Sequence, residues 1–369
     1  MMQELRKGFT TGTAAAAAVK AALYFMAGSE CRTVMVSLPK GGQLEIPVQE
    51  CGRSDSEPGV YYGEIIKDAG DDPDVTHGLV IRAEVRPIPG AAVVLKGGCG
   101  VGRVTKPGLP VPPGEPAINP EPRQMILQAV AEAPIRQGLE ITIVVPRGAE
   151  VASRTLNPRL GIVGGISILG TSGIVLPVSD DAWRESLVPQ LKVIAAAGYD
   201  MALLTPGRQG LNWALRWGIP EEQIAETSNF IGFMLEQSRE AGLKEVLLWG
   251  HFGKLIKLAA GVFNTHSQVA DARLETLIAV GALCGVSEAL LRQLDSANTT
   301  EEAVQYLAGA GLDRLVLDAV AERASRKASE RYGPLTVGTV LLDRDGACRG
   351  WDRTAQRLMR ERRWIQTGS

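Results

Sequence analysis

The passage MALLTPGRQGLNWALRWGIPEEQIAETSNFIGFMLEQSREAGLKEVLLWGHFGK, residues 201–254, carries the rhythm that decides the fold. A short apolar run from Met201 to Leu204 stops at Thr205-Pro206-Gly207, and helical patterns follow from Leu211 to Trp217 and from Asn229 to Ala241. A second run, Val246 to Trp249, stops at Gly250-His251-Phe252-Gly253 before another helical pattern from Lys254 to Val262. Runs of four are strand-sized rather than helix-sized, and their alternation with helices predicts a parallel sheet covered by helices, because parallel neighbours need a crossover. Ligands on open parallel sheets bind beyond the carboxyl ends of the strands, so both glycine-bearing turns face the expected ligand side.

Upstream, Trp183 to Ala197 reads as a helix and Ile162-Val163 as the start of a strand, so the alternation is expected to begin near Arg154. Downstream lie helical segments from Gln268 to Lys327, a strand around Val337 to Leu342 and a basic closing helix. The N-terminal part has a different grammar. GFTTGTAAAAAVKAALYFMAG predicts a helix that Thr10, Thr11 or Thr13 can cap and Gly28 can stop. Thr33 to Val48 reads as a hairpin about Gly41-Gly42, Leu79 to Arg86 and Leu139 to Val145 as strands, and Arg123 to Gln137 as a helix. The Gly/Pro-rich passage from Pro87 to Pro122 reads as a long functional loop. The expected fold is an α+β N-terminal domain, residues 1–153, followed by an α/β domain, residues 154–369, with a mainly parallel sheet and helices on both faces. A chain of 369 residues exceeds one ordinary core, which supports two domains.

A hydrophobic fraction of 45% with 22% charged residues describes a globular chain, and a net charge of −2 excludes general nucleic-acid binding. The charge is uneven: residues 44–78 hold nine acidic and two basic side chains, residues 79–170 ten basic and six acidic, so an anionic ligand would be drawn to the second segment. Five cysteines, none in a C-x-x-C pair, suit a reducing cytoplasm and provide no zinc framework. No signal peptide is read at the N-terminus. The uncharged stretch Leu160 to Ser179 holds five glycines and Pro177, which argues against a membrane span. The expected location is cytoplasmic, with no membrane association.

Four constellations carry chemistry. NPRLGIVGGISILGTSG, residues 157–173, combines Gly164, Gly165, Ser167, Gly170 and Thr171 in a turn that reads either as a cradle for a polar small molecule or as a tight, buried glycine corner. KDAGDDPDVTHG, residues 67–78, packs Asp68, Asp71, Asp72 and Asp74 between Lys67 and His77. Such crowding needs a cation, donors or a substrate amide, or else describes a solvated turn held by Asx hydrogen bonds. Its spacing does not fit an EF-hand. KGGCGVGRVTKPGLPVPPGEPAINPEPR, residues 96–123, sets Lys96, Arg103, Lys106 and Arg123 among glycines and prolines and favours anion binding over a merely stiffened surface loop. GHFGKLIKLAAGVFNTHS, residues 250–267, offers His251 at a strand-to-helix turn, as a general base, a ligand donor or a helix cap. A G-x-S-x-G elbow is missing, so nucleophilic hydrolysis is not expected.

Together, LRKGFTTGTAAAAA, IKDAGDDPDVTHG, GVGRVTKPGL, GEPAINPEPR, NPRLGIVGGISILGTSGIV and GKLIKLAAGVFNTHSQVADAR resemble the CbiD family of anaerobic cobalamin biosynthesis, in order and over almost the whole chain. The resemblance implies transfer of a methyl group from S-adenosylmethionine (SAM) to C-1 of cobalt-precorrin-5B, giving cobalt-precorrin-6A. It also implies a fold unlike the usual tetrapyrrole methyltransferases. The chain departs from the family pattern at Ala14, where the family often has Cys, at Leu176 (often Glu) and at Phe252 (often Pro), so a thiol nucleophile after TTGT is not expected.

On this reading the α/β domain binds SAM through Gly164, Gly165, Ser167, Gly170, Thr171 and Gly250. The N-terminal domain binds the macrocycle through Thr10, Thr11, Lys67, His77, Arg103, Lys106 and Arg123. Asp72 or His251 takes a proton or polarises the ring. Gly165→Val is expected to abolish SAM binding with the fold intact. The protein binds no metal of its own, since cobalt arrives with the corrinoid. Hand-over to neighbouring pathway enzymes and a homo-oligomer are compatible with the sequence. Two rivals stand beside this reading: a non-catalytic corrinoid carrier, and an ATP/Mg-dependent phosphotransferase.

Overall fold

The computed structural model describes residues 5–364. It is a mixed α/β structure of two compact units, 1–182 and 183–369.

The first unit is organised about the helix Thr11–Met26, whose residues Thr11 through Leu23 are all buried. An amphipathic helix could not be covered on every side. The run Ala14 to Ala18, with Ala21 and Ala22, allows it, because small side chains leave no polar face to hydrate and let neighbours come close. Strands Tyr61–Ile66 and Val80–Ile88 and helix Pro120–Glu132 pack on it. At the tightest approach a Cβ on Gly63 would stand 2.3 Å from the carbonyl oxygen of Ala18, so any side chain there would push helix and sheet apart. The Thr10 hydroxyl caps the helix by accepting from the Thr13 N–H at 3.2 Å, and Gly28, at φ 86°, ends it.

Lys20 is the one charged side chain in that buried run, and it is matched. Its ammonium donates to the Met35 carbonyl at 2.6 Å and pairs with Glu132, which also accepts from Ser37 at 2.8 Å and Gln128 at 2.9 Å. Burial opposes charge on Glu132, but these donors outweigh it and hold the carboxyl down at about 2. The arrangement ties the central helix to the hairpin Thr33–Ser37/Gln43–Pro47 and to helix Pro120–Glu132.

The unit's five-stranded sheet runs in the order Glu50–Arg53, Tyr61–Ile66, Val80–Ile88, Gly138–Val144, Val93–Gly97. Its last pair is parallel and the others are antiparallel. The passage 87–122 is therefore not all loop: Val93–Gly97 is an edge strand whose apolar residues Val93 and Leu95 pack against the core. A second correction concerns the domain boundary. Ile162-Val163 pairs antiparallel with Arg103-Val104, and Gly165-Ile166 pairs parallel with Gly100-Val101. The glycine-rich passage is thus woven into the first unit. The compact units divide at Ala182/Trp183, not at 153/154. A two-residue strand between glycines imitated the start of the alternating region.

In the second unit the sheet order is Ile224–Glu226, Met201–Thr205, Glu245–His251, Thr336–Leu342, Cys348–Trp351. The first three pairings are parallel and the last is antiparallel. All five residues of Met201–Thr205 are buried, and side chains alternate between faces along a strand, so both faces are covered. On one face Leu203, Leu247, Trp249 and Val340 pack with Trp213 of helix Arg208–Arg216 and Leu358 of helix Arg353–Glu361. On the other, helix Asp313–Tyr332 lies against the sheet, with Ser325 Oγ 2.7 Å from Thr339 Oγ1. Helices Arg273–Leu283, Glu288–Asp295 and Thr300–Gly309 pack successively on one another. Among the described residues, no helix is long and apolar enough to cross a membrane.

Candidate functional sites

The glycine-rich passage closes over the amino end of the central helix. The Gly12 N–H donates to the Leu169 carbonyl at 3.0 Å and the Thr10 N–H to that of Gly173 at 3.1 Å. The Thr11 hydroxyl donates toward the Leu169 and Ser167 carbonyls at 3.1 and 3.3 Å and accepts from the Leu169 N–H at 2.9 Å. Thr13 Oγ1 donates to the Gly173 carbonyl at 2.6 Å. Helix N–H groups that could have held an anion are thus spent on the chain's own carbonyls and hydroxyls.

The glycines follow the same logic. A Cβ on Gly165 would sit 2.1 Å from the Gly100 oxygen, and one on Gly170 would sit 2.2 Å from Thr10 Oγ1. The buried Ser167 hydroxyl donates to Asn157 Oδ1 at 3.2 Å, and Asn157 Nδ2 donates to the Gly165 carbonyl at 3.1 Å. Gly165, Ser167, Gly170, Thr10 and Thr11 therefore hold the fold together, and a fold-neutral Gly165→Val is corrected by this geometry. Gly164, at φ 84° with nothing among the described residues within 4 Å of a Cβ, and the exposed Thr171 are the members that face outward.

The acidic segment is matched carboxylate by carboxylate. Asp68 forms a two-pronged pair with the Arg6 guanidinium, one bond at 2.9 Å, and that hydrogen bond holds its carboxyl below the ordinary range. Asp71 accepts from the Arg6 N–H at 2.7 Å. Asp74 accepts from the Lys67 ammonium at 2.9 Å and from the Thr76 N–H at 2.8 Å. Burial opposes its charge, but Lys67 prevails and the carboxyl titrates low. Lys67, 1% exposed, is thereby a buried partner rather than a free cation. His77 Nδ1 accepts from the Ala69 N–H at 3.1 Å.

Asp72, the expected acid or base, accepts from the Val178 N–H at 3.0 Å. Val178 has φ 52°, a conformation that a β-branched residue reaches only under constraint. The carboxylate pins that turn. Among the described residues no group of three His, Cys, Asp or Glu could hold a metal ion.

The cations of the 96–123 passage differ in freedom. Lys96 pairs with Glu140 at 2.6 Å, and Arg103 donates to the Gly114 carbonyl. Lys106 lies along Gly161, whose absent side chain makes room for its stem, and it has no carboxylate partner among the described residues. Arg123 likewise lacks one. It borders an open recess of about 400 Å³ with Pro110, Val111, Pro112, Glu115, Ile118 and Pro120. The lining is mainly apolar, with one cation and one carboxylate, which suits a ring system bearing polar groups at its edge.

In the second unit, Gly250 and His251 end the strand Glu245–His251. His251 Nδ1 accepts from the Gly253 N–H at 3.1 Å and so caps helix Phe252–Ala259. The imidazole stacks on Phe252, with centroids 4.5 Å apart, and burial favours its neutral form. A neutral ring whose Nδ1 accepts must carry its proton on Nε2. Nε2 is buried without a hydrogen-bond partner among the described residues, although Glu301 Oε1 lies 3.5 Å away. His251 thus presents a donor, not a base. Glu301 also meets Arg344 at 3.2 Å.

The expected SAM contacts are divided by this structure: Gly164 to Thr171 belong to the first unit, Gly250 to the second. Sequence reasoning missed Glu226, Glu301 and Arg344. Glu301 and Arg344 leave no motif, because helix Thr300–Gly309 and the turn after Thr336–Leu342 bring them together only in the fold. Glu226 ends a strand of three residues, too short to carry a period in the sequence.

With a covered parallel sheet in one unit and a recess bordered by Arg123 in the other, the chain belongs to the class of mixed α/β proteins. Comparison with known proteins narrows this. The family model CbiD matches residues 1–177, and the model for the CbiD C-terminal domain matches residues 264–353. A Moorella thermoacetica protein named cobalt-precorrin-5B C(1)-methyltransferase is 49% identical over 97% of this chain and 98% of its own length. A protein of that name from Methanocaldococcus jannaschii is 40% identical over 95% and 98%. The crystal structure of cobalamin biosynthesis protein (cbiD) from Archaeoglobus fulgidus is 30% identical, with a TM-score of 0.39 over 73% of this chain and 84% of that one. The chain belongs to the CbiD family.

Proposed function

We propose that this protein methylates C-1 of cobalt-precorrin-5B to give cobalt-precorrin-6A, with SAM as methyl donor. The observation that carries this is the match, at 49% identity and 97% coverage, to a relative named for that reaction. Bound SAM supplies a methyl group already activated by its sulfonium charge. The protein's share is alignment and exclusion of water.

In this reading the α+β first unit receives the corrinoid. Lys106 and Arg123, without carboxylate partners among the described residues, and Arg103 meet the substrate's peripheral acid groups, while Pro110, Pro112 and Ile118 meet its apolar ring. Gly164 and Thr171 add exposed backbone and hydroxyl contacts. Lys67, His77, Asp72, Thr10 and Thr11 keep the surrounding loops in place and act on the substrate through them. The α/β second unit, with its mainly parallel sheet, holds the donor. Cobalt enters and leaves as part of the substrate, which then passes to the neighbouring enzymes of the pathway.

The test is anaerobic incubation with cobalt-precorrin-5B and SAM labelled in its methyl group. The expected product is the corrinoid carrying one labelled methyl at C-1. Pigment bound in equal amount with no label gained would instead make the protein a carrier. A magnesium-dependent nucleotide shift in melting temperature would make it a phosphotransferase.

A further inference from the structure

The second unit's sheet contains a point where the chain reverses its direction of growth. From Met201–Thr205 it passes outward to Ile224–Glu226 on one side, then returns to Glu245–His251 on the other. The connections leaving Thr205 and His251 diverge there, and open parallel sheets bind ligands in the crevice this creates.

Several observations converge on the crevice. Two polar atoms are buried there without hydrogen-bond partners among the described residues: Thr205 Oγ1, on a residue of 0% exposure, and His251 Nε2. Thr205 Oγ1 stands beneath the first turn of helix Arg208–Arg216, 1.8 Å from where a Gly210 Cβ would be. The backbone is bare at Gly207, where nothing among the described residues lies within 4 Å of a Cβ, whereas Gly250 is buried and its missing side chain makes room for Pro206, whose Cδ lies 3.0 Å from a Cβ.

The next strand ends in Glu226, roughly twenty residues after Gly207, where nucleotide-binding α/β folds place the carboxylate that accepts from the ribose hydroxyls. Glu226 is largely buried, with Arg208 Nε 3.7 Å away. Glu301, beside His251, adds a second carboxylate.

The geometry points to this crevice as the site of the donor nucleoside: Glu226 accepts from the ribose diol, Gly207 lets the nucleoside lie against backbone, and His251 Nε2–H donates to it. This rests on the methyltransferase reading and assigns the donor to residues that the glycine-rich passage does not include.

The test measures, by calorimetry on the full chain, S-adenosylhomocysteine and its 2′-deoxy analogue against the unsubstituted protein and Glu226→Gln. Loss of a charge-assisted hydrogen bond predicts about tenfold weaker binding of S-adenosylhomocysteine to the variant. The unsubstituted protein should prefer S-adenosylhomocysteine over the deoxy analogue by a similar factor, and the variant should lose that preference. A purely structural role would weaken both ligands equally and preserve the preference, and that result overturns the assignment, as does unchanged affinity.

If Glu226→Gln fails to fold, hydrogen exchange on the unsubstituted protein decides. Protection of 205–210 and 224–229 by S-adenosylhomocysteine supports the site, and protection confined to 164–173 overturns it. Absence of any binding by the unsubstituted protein, with corrinoid present, sinks the methyltransferase reading itself.

Discussion

Two glycine-bearing turns of this chain, 157–173 in the first unit and 205–210 in the second, meet the same demand in opposite ways. Both need backbone to approach something closely. In the first, that something is the chain itself: Gly165 passes over Gly100, Gly170 over Thr10, and Thr11 spends its hydroxyl on Leu169 and Ser167. In the second, nothing among the described residues lies within 4 Å of a Gly207 Cβ, and Thr205 Oγ1, like His251 Nε2 at the neighbouring strand end, has no hydrogen-bond partner among them. A glycine turn that has satisfied itself is a clasp. One that leaves buried polar atoms unsatisfied stores a cost of about 1–3 kcal/mol per group, which a ligand can relieve.

The largest expected effect separates adjacent glycines. Gly165→Val should destabilise the first unit by at least about 3 kcal/mol, because the new side chain meets Gly100 backbone that cannot move aside. Gly164→Ala, in open space but at φ 84°, should cost only about 1 kcal/mol. Urea unfolding of the two variants checks this, and equal losses would break the distinction between clasp and outward turn.

A smaller contrast pits two threonines against each other. Thr11→Val strands the Leu169 N–H and should cost about 1–3 kcal/mol. Thr205→Val removes a hydroxyl that has no partner among the described residues and should be neutral or slightly stabilising in the ligand-free protein. Melting curves read both, and a Thr205→Val loss as large as that of Thr11→Val would mean the hydroxyl is in fact engaged.

The smallest effect concerns His251. Burial lowers its pKa in the fold, so the unfolded chain binds the proton more readily. Its contribution is therefore fully present above the ordinary value of 6.5 and is lost as pH falls below it toward the lower folded pKa. Melting temperature should decline with acidification through that window. His251→Asn keeps an acceptor for the Gly253 N–H and should flatten the decline, and an unchanged pH profile in the variant would assign it elsewhere.

Much of the fold was legible because local signals agreed with tertiary outcome. The alanine run, its threonine cap and Gly28 mark a helix that is buried all round. The runs at 201–204 and 246–249, broken by helical spacing, mark the parallel sheet. Ile224–Glu226 was not legible, since three residues carry no period. Neither was the partnership of Gly165 with Gly100, sixty-five positions apart, because glycine reports that backbone must come close without saying to what. The acidic cluster shows the same limit: its crowding was visible, but Arg6, Lys67 and the Val178 N–H, which neutralise or engage it, come from the fold. Of the candidate site cations, Lys106 and Arg123 have no carboxylate partner among the described residues, whereas Lys96 pairs with Glu140. His251 turned from a base into a donor once its Nδ1 was seen to cap a helix.

A co-crystal with S-adenosylhomocysteine addresses the division of labour between the units most directly. The account predicts density for the nucleoside beyond the carboxyl ends of strands Met201–Thr205 and Glu245–His251, with the ribose at Glu226. Density along 164–173 instead, with the second unit's crest empty, would contradict it.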